Sequence, residues 1–409
     1  GEQHVLKSLS ESLSNRLAIW VHPDAEVLLQ WLMDASKSVR VDEPVAGFVA
    51  GDRRFKCKLA RMGHGYQRSF ILALLEEIAA SDVAGGPRLI LGCEEPELYQ
   101  HPPQARHIAS VMQQLTTKNA QVVICTHSPY FVSGRQVQDV RSIRMNGRHN
   151  RSECRVVTFD EIANAIAAAS GERPVNPAGM LLRIEQALQA ALNELFFAGV
   201  LILVEGLEDF AYVTTYMTLL GLWDDYRKYR CHIVAVGGKS WLIQPFAIAN
   251  ALQIPTFVVF DSDGHKDQPD PNDDPKVAND KRSRRTKHDK DNKAILKLAG
   301  IGMPEPFPAA TLWRDDLVMW CSDIGDIVAD EIGRADLQKF KEKVRNDKQI
   351  MIDAQDKAVL FIGYFLNEAW NQSKKSASLE RLCKAMIAFA ESQNTATTVP
   401  EREATAPVA

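Results

Sequence analysis

The sequence predicts a mixed α/β chain built on parallel sheets, in two successive α/β units. Three observations predict it. Short apolar runs of strand length recur at 88–92, 121–125, 200–204, 231–236 and 255–260. Stretches with helical spacing lie between them, the pattern of strands joined by helical crossovers. With 409 residues the chain exceeds what one domain normally uses, so two or three are expected. Apolar residues at 45% and charged residues at 24% give the balance of a soluble globular protein with material for real cores. The formal charge of −4 means that any nucleic-acid contact must come from a local patch. The longest apolar run, 195–204, is about half a membrane span. No charged-then-apolar leader opens the chain, so a cytoplasmic protein without a membrane partner is expected. Seven cysteines, without a Cys-x-x-Cys pair, argue against a disulfide framework and a structural zinc site. Gly1 carries no start signal, and the chain is expected to begin inside a longer protein.

Taken in order, residues 26–35 have a helical look and 54–59 a strand-like one. Gly63-His64-Gly65-Tyr66-Gln67-Arg68 leads into a helix with Ile71, Leu74, Leu75 and Ile78 on one face. A buried strand at 88–92 then ends in Glu94-Glu95-Pro96, a helix covers 103–116, and a strand at 121–125 ends in Thr126-His127. Residues 134–176 read as short strands and loops. Asn176-Pro177, a cap followed by proline at the first helical position, opens a helix with Leu181, Ile184, Leu188, Leu192 and Leu195 on its face. The second unit begins at 200–204. Residues 264–293 read as a polar insertion, acidic and then basic, 330–392 as mostly helical, and 393–409 as a disordered tail. No internal repeat of fixed period is visible.

Two sets of residues carry chemistry. In the first, a hydrophobic strand ends in Glu94-Glu95, preceded by a glycine-rich helix start that offers N–H groups to an anion, and followed one strand later by His127. Each piece is common, and any surface strand can end in two acids; the ordered trio is not common. In the second, strand 200–204 ends in Glu205-Gly206-Leu207-Glu208-Asp209, and strand 257–260 ends in Asp261-Ser262-Asp263-Gly264. Alternation along an extended chain puts Asp261 and Asp263 on one face. Carboxylates meeting at strand ends repel unless neutralised, and an oxygen-rich cluster suits Mg²⁺ or Mn²⁺. The bland reading is a set of solvated loop ends, but both motifs follow near-continuous apolar strands.

The first set resembles the C-terminal half of an ATP-binding-cassette ATPase of the DNA-repair type. The resemblance makes Gly63, Gly65 and Gln67 part of the signature motif, Glu94 and Glu95 the Walker B pair, Glu97 to Pro102 the D-loop and His127 the switch histidine. No Gly-x-x-x-x-Gly-Lys-Ser/Thr loop occurs; Gly237-Gly238-Lys239-Ser240 is read as a decoy. ATP binding therefore implies a loop upstream of Gly1 or a site unable to bind nucleotide by itself, and the signature motif implies a dimer. The second set resembles the Toprim fold, with Glu205, Asp209, Asp261 and Asp263 as its acids; 236–239 also fits the nuclease branch. The order of the two is similar to the OLD (overcoming lysogenisation defect) family of ATP-dependent nucleases, relatives of which are the Gabija-type anti-phage nucleases.

That resemblance implies residues 1–150 as part of the ATPase, 151–198 as linker and connecting helix, 199–330 as Toprim domain, 331–392 as its helical C-terminal part, and 393–409 as tail. It implies a metal-dependent DNA endonuclease gated by an ATPase, in DNA repair or anti-phage defence, with DNA, a second copy and a defence-system protein as partners. It further implies an additional acid, for which Asp315 or Asp316 is the candidate, and a lysine, Lys374 or Lys375; Asp316 and Lys375 are chosen. A non-catalytic DNA clamp is the rival. The basic run Arg282, Arg284, Arg285 and Lys287 is expected to be a mobile loop that meets DNA phosphates. The tryptophans, Cys93, His101 and His107 read as structural.

Overall fold

The computed structural model describes residues 2–20, 24–32, 45–51, 55–80, 89–117, 120–146, 151–188, 192–268, 270, 273–349 and 358–395. The chain divides into two compact units, Gly1–Phe131 and Val132–Ala409. The division precedes the expected boundary at 150.

In the first unit, α1 (Glu2–Trp20) is followed by β1 (Glu26–Leu32), β2 (Val45–Gly51) and β3 (Lys56–Lys58), an antiparallel three-stranded sheet. Residues 26–32 are thus a strand, not the expected helix; 33–35 lie outside the described residues. The physical reason is the alternation: Val27 and Leu29 point into the core while Leu28 is exposed, and β2 supplies a full ladder of partners. Next come α2 (His64–Ala80), β4 (Leu89–Glu94), α3 (Pro102–Thr116) and β5 (Ala120–Cys125), with β4 and β5 parallel in register from Leu89↔Ala120 to Glu94↔Cys125. This strand–helix–strand order matches the sequence reading, and it brings the ends of both strands to one edge.

The second unit opens with a hairpin, β6 (Ser142–Asn146) and β7 (Arg151–Arg155), then α4 (Phe159–Ser170) and α5 (Pro177–Ala187). Helix α4 falls where loops were expected. Its start signal was present: Thr158 accepts from the Glu161 N–H, and Glu161 reaches back to the Thr158 N–H. Helix α5 is capped by Asn176, whose Oδ1 accepts from the Gly179 N–H at 2.8 Å. It ends at Ala187, short of the expected Leu195; a 3₁₀ turn covers Leu192–Phe197.

The sheet that follows contains β8 (Val200–Val204), β9 (Cys231–Ala235), β10 (Thr256–Asp261), β11 (Leu312–Trp313) and β12 (Leu317–Trp320). Its order is β11-β12-β10-β8-β9, parallel except for the edge strand β11. Between the strands lie α6 (Leu207–Leu219), α7 (Trp223–Lys228), α8 (Ile243–Ala251) and α9 (Pro275–Leu298). The chain then adds α10 (Ile324–Ile332), α11 (Arg334–Lys348), α12 (Val359–Asn371) and α13 (Ala377–Thr395). Alternate strand residues feed two cores. Leu201, Leu203, Val258, Phe260, Leu317 and Met319 pack with α4, α5, α8 and α9. Ile202, Val204, Phe257, Val259, Val318 and Trp320 pack with α6 and α10 to α13. A sheet covered on both faces is read as continuous apolar runs, which is why β8, β9 and β10 were legible; β11 and β12 were not among the expected strands.

The expected polar insertion is a correction. Residues 275–298 form α9, with Asp274 accepting from the Lys276 N–H and Pro275 in the first turn. Lysine and arginine are good helix formers, and burial of Asn292, Ala294, Ile295 and Leu296 anchors the C-terminal half. The expected disordered tail, 393–409, begins too early, because α13 runs to Thr395; residues 396–409 lie outside the described residues. Among the described residues no helix is long and apolar enough to cross a membrane.

Candidate functional site

The acids of the second unit gather at the C-terminal ends of β8, β10 and β12. Glu205 follows β8 directly. Two residues after β9, Gly237 and Gly238 adopt φ of +88° and +139°, and both N–H groups donate to the Glu205 carbonyl, at 3.0 and 2.7 Å. These dihedrals suit glycine and turn the chain so that Lys239 points into the site. Asp209 sits in the first turn of α6, where its Oδ2 accepts from the Gly206 N–H at 2.8 Å. Its Oδ1 is buried with no partner among the described residues.

Asp261 is the last residue of β10. Its N–H lies 3.5 Å from Glu205 Oε2, and its own Oδ1 is buried without a partner among the described residues. Asp263 does not follow by strand alternation, because β10 has ended and its φ is +56°. That turn is held by Ser262, whose hydroxyl donates to the Cys321 carbonyl, and by Asn292, which donates to the Ser262 and Pro306 carbonyls. Asp263 Oδ2 accepts from Lys239 Nζ at 2.5 Å, and Oδ1 from Lys266 Nζ at 2.8 Å. His288 Nδ1 lies 3.3 Å from Oδ2.

The electrostatics divide these carboxyls. Burial, then the charges of Asp209 and Glu205, push the Asp261 carboxyl well above the usual carboxylate range. Burial and Glu205 raise Asp209 to about 7. Glu205 is raised by burial, against the opposing pull of Lys239. Burial also disfavours the Asp263 anion, but Lys239 and Lys266 outweigh it and hold the carboxyl below its ordinary value. Two unpaired buried oxygens on carboxyls that resist ionisation are a fit for a hard divalent cation, which would neutralise them and take oxygen ligands.

Sequence reasoning did not place Lys239 among the site residues; its Gly-Gly-Lys was set aside as a phosphate-loop decoy, although its fit to the nuclease branch was noted. It also missed Lys266, His288 and Asp323. Asp323 follows β12 by three residues and caps α10, accepting from the Asp326 N–H at 2.8 Å. Its Oδ2 lies 3.3 Å from Lys266 Nζ and 3.6 Å from His265 Nε2, and His265, Asp323 and Asp326 form a metal-competent group. The signal was available: β12 is a fully buried apolar strand with an acid just beyond it.

Asp316 is not brought to this site. It precedes β12, and its carbonyl accepts from the Val258 N–H, whereas Trp320 at the other end pairs with Asp261. Four residues of strand separate the two ends by roughly 13 Å. Asp315 shares that position. Lys375 lies over the Trp370 ring, 4.0 Å from its centroid, and Lys374 pairs with Asp336 at 2.9 Å, both near the start of α13. On α9, Arg284 pairs with Asp267 at 2.7 Å, and Arg285 donates to the Gly264 carbonyl and stacks on Phe307. Arg282 and Lys287 are exposed.

In the first unit, Glu94 ends β4 and is exposed. Glu95 follows with φ +45°, and its Oε1 lies 3.6 Å from His127 Nε2. Its carbonyl accepts from Arg68. Gly63 and Gly65 flank the start of α2. Gln67 donates to the Met62 carbonyl at 2.7 Å. A side chain at Gly65 would meet the Tyr99 carbonyl at 2.8 Å, and Gln100 donates to the Gly65 carbonyl at 3.0 Å, so the 63–67 turn and the 97–102 loop pack closely.

Comparison with known proteins agrees with both halves. Residues 3–132 match the AAA ATPase domain, and residues 196–263 match the Toprim domain of proteins like the overcoming lysogenization defect protein. The Old nuclease of Escherichia phage P2 is 26% identical over 211 residues, covering 50% of this chain and 33% of that protein. The OLD nuclease of Thermus scotoductus is 26% identical over 203 residues, covering 49% of this chain and 35% of that protein. The matched stretch thus spans about a third of the length of these relatives. An AAA ATPase domain followed by an OLD-like Toprim domain, with Old nucleases among its relatives, makes this chain similar to the OLD family in both of its units.

Proposed function

We propose that the chain is a divalent-metal-dependent DNA endonuclease whose Toprim site is regulated by its ATPase unit, in DNA repair or anti-phage defence. The observation that carries this reading is the convergence of buried carboxyls at the C-terminal ends of parallel strands, with Asp209 Oδ1 and Asp261 Oδ1 lacking partners among the described residues. That the relatives are the Old nuclease of Escherichia phage P2 and the OLD nuclease of Thermus scotoductus supports it.

Glu205, Asp209 and Asp261 are the residues that would hold Mg²⁺ or Mn²⁺, with Asp263 beside them. When bound, the ion would supply Lewis-acid activation of water and neutralise charge on the phosphate. The chain's own groups fix the acids: the Gly206 N–H holds Asp209 Oδ2, while Oδ1 is buried without a partner among the described residues. The Gly237 and Gly238 N–H groups fix the Glu205 backbone.

Gly63, Gly65, Gln67, Glu94, Glu95 and His127 form one half of an ATP site in this reading, completed by a second copy in a homodimer or by another subunit, such as a partner protein of a defence system. The chain alone is therefore expected to give no steady ATP turnover; turnover abolished by Glu95→Gln would refute that division of labour. The nuclease reading is tested on supercoiled plasmid. Nicking in Mg²⁺ or Mn²⁺ and none in EDTA is expected. Plasmid that is bound but never cut in either metal would leave the clamp as the function.

A further inference from the structure

Helix α11 carries six basic residues, and they fall into two groups. Arg334, Lys339 and Lys343 are paired with carboxylates, those of Asp330, Asp336 and Glu368, at 2.6, 3.3 and 2.6 Å. Lys341, Arg345 and Lys348 stand over the aromatic rings of α12 instead. Lys341 Nζ lies 5.1 Å from the Phe365 centroid, the Arg345 guanidinium 5.4 Å from Phe361, and Lys348 Nζ 5.0 Å from Tyr364. Among the described residues neither Lys341 nor Lys348 has a carboxylate partner.

The two arrangements leave different fields behind them. A carboxylate cancels a cation, whereas an aromatic face holds it in place and leaves its charge whole. At 3.6 residues per turn, positions 341, 345 and 348 fall within about 60° of one another, and the acids Glu342 and Asp347 lie outside that stripe. At 1.5 Å of rise per residue the stripe is roughly 10 Å long, about three nucleotide steps of one strand of duplex DNA. The only acid of α12, Glu368, is already held by Lys343. Tyr364 is 39% exposed and brings a hydroxyl donor beside Lys348.

The stripe is also tied to the end of the sheet where the acids gather. The Phe365 ring under Lys341 lies 6.4 Å from the Tyr212 ring. Tyr212 Oη in turn lies 3.5 Å from where a side chain on Gly325 would begin, beside Glu208 Oε1 and Asp323 Oδ1. In a chain with a formal charge of −4, an uncompensated row of fixed cations is a local feature that a polyanion fits. We propose that Lys341, Arg345 and Lys348 form a contact for the phosphate backbone of duplex DNA. The inference rests on the DNA reading of the Toprim unit and adds to it a surface apart from the carboxylates and from α9.

The test is binding of a fluorescently labelled duplex to the full 409-residue chain in EDTA, where nothing is cut, across a salt series. Lys341→Gln/Lys348→Gln is expected to lower the slope of log affinity against log salt by roughly 2. Lys339→Gln/Lys343→Gln makes the same change in net charge at the paired positions and is expected to lower it by less than about 0.5. Lys341 is half-buried, so Lys348→Gln alone, at an exposed position, provides a second arm with an expected fall of roughly 1. Equal slopes for the wild type and Lys341→Gln/Lys348→Gln, with plasmid still nicked in Mg²⁺, would overturn the contact and leave the nuclease reading standing. They would give this face, with its exposed Leu360, to a protein partner. Equal falls in the two double variants would overturn it too, because net charge and not the stripe would then be what DNA meets. A wild type that binds no duplex would overturn the DNA reading and the contact together.

Discussion

The two units place their acids in opposite surroundings. In the ATPase unit Glu94 faces water and the His127 side chain is 89% exposed. In the Toprim unit Asp209 and Asp263 are each only 5% exposed. Exposed carboxylates cost little and can stand without partners. Buried ones are expensive unless paired, hydrogen-bonded or bound to a cation. The difference teaches where to look for a site that one chain completes by itself. Lys239 and Lys266 relieve that cost at Asp263, whereas Asp209 and Asp261 carry one that a bound cation would relieve; the Glu95–His127 pair carries none comparable within its own unit.

The largest effect should come from testing that contrast directly. Asp261→Asn is expected to lower metal-dependent plasmid nicking by on the order of 10³-fold or more, because a ligand and its charge are lost together. Glu95→Gln, assayed without nucleotide, is expected to leave nicking within about twofold, a change of under 1 kcal/mol. Equal losses in the two variants would break the comparison.

The second effect is on stability. Asp209 is raised in the folded state from 3.8 to about 7. Folding therefore favours its protonated form, so its contribution is fully present below about 3.8 and is lost as pH rises through about 7. Asp261 acts in the same direction. Asp263 acts in the opposite one, its carboxyl being depressed, so its contribution is lost only as pH falls through that lowered value. Without metal, the chain is expected to lose about 2–3 kcal/mol from Asp209 alone between about pH 5 and about pH 8. Mn²⁺ should raise the unfolding temperature more at the higher pH, since it replaces protons that have left. A metal shift that is independent of pH, followed by calorimetry, would contradict the geometry.

How much of this was legible follows from what each residue's signal depends on. Strands β8, β9 and β10 were readable as apolar runs, because burial leaves a mark in composition, whereas β12, only four residues long, was not read. Glu205, Asp209, Asp261 and Asp263 were readable because each stands at or just past such a run. Lys239 was seen but misassigned: its Gly-Gly-Lys has the look of a phosphate loop, and only the fold brings it to Asp263, 24 positions later. Asp323 was missed because Asp315-Asp316, on the near side of β12, drew attention away from the far side. The strand's direction in the sheet decides between them, and direction is set by pairing with β10. Helix α9 was missed because a run of charges was taken for a loop, although its cap at Asp274 and its proline were in the sequence.

That choice of acid gives the third prediction. Asp323→Asn is expected to lower nicking by roughly tenfold, since Asp323 supports Lys266 and lines the site. Asp316→Asn is expected to leave it unchanged. A larger loss from Asp316→Asn would mean that chemistry reaches the opposite end of the sheet.

The smallest effect concerns DNA and separates residues that the sequence could only group. Arg282, Arg284, Arg285 and Lys287 share one helix but not one fate. Arg284 is held by Asp267, and Arg285 by the Gly264 carbonyl and the Phe307 ring, so both brace the loop that carries Asp263. Arg282 and Lys287 are exposed and are the two of this set available to a phosphate backbone. Arg282→Ala/Lys287→Ala is therefore expected to lower the slope of log affinity against log salt by roughly 2, with sequence preference unchanged because phosphates carry no sequence. Arg284→Ala/Arg285→Ala is expected to leave that slope nearly as it was and to act on Mn²⁺ affinity instead, through the loop that they brace. A salt series with both double variants decides the point: equal slopes for the wild type and Arg282→Ala/Lys287→Ala would remove the exposed face of α9 from the DNA path.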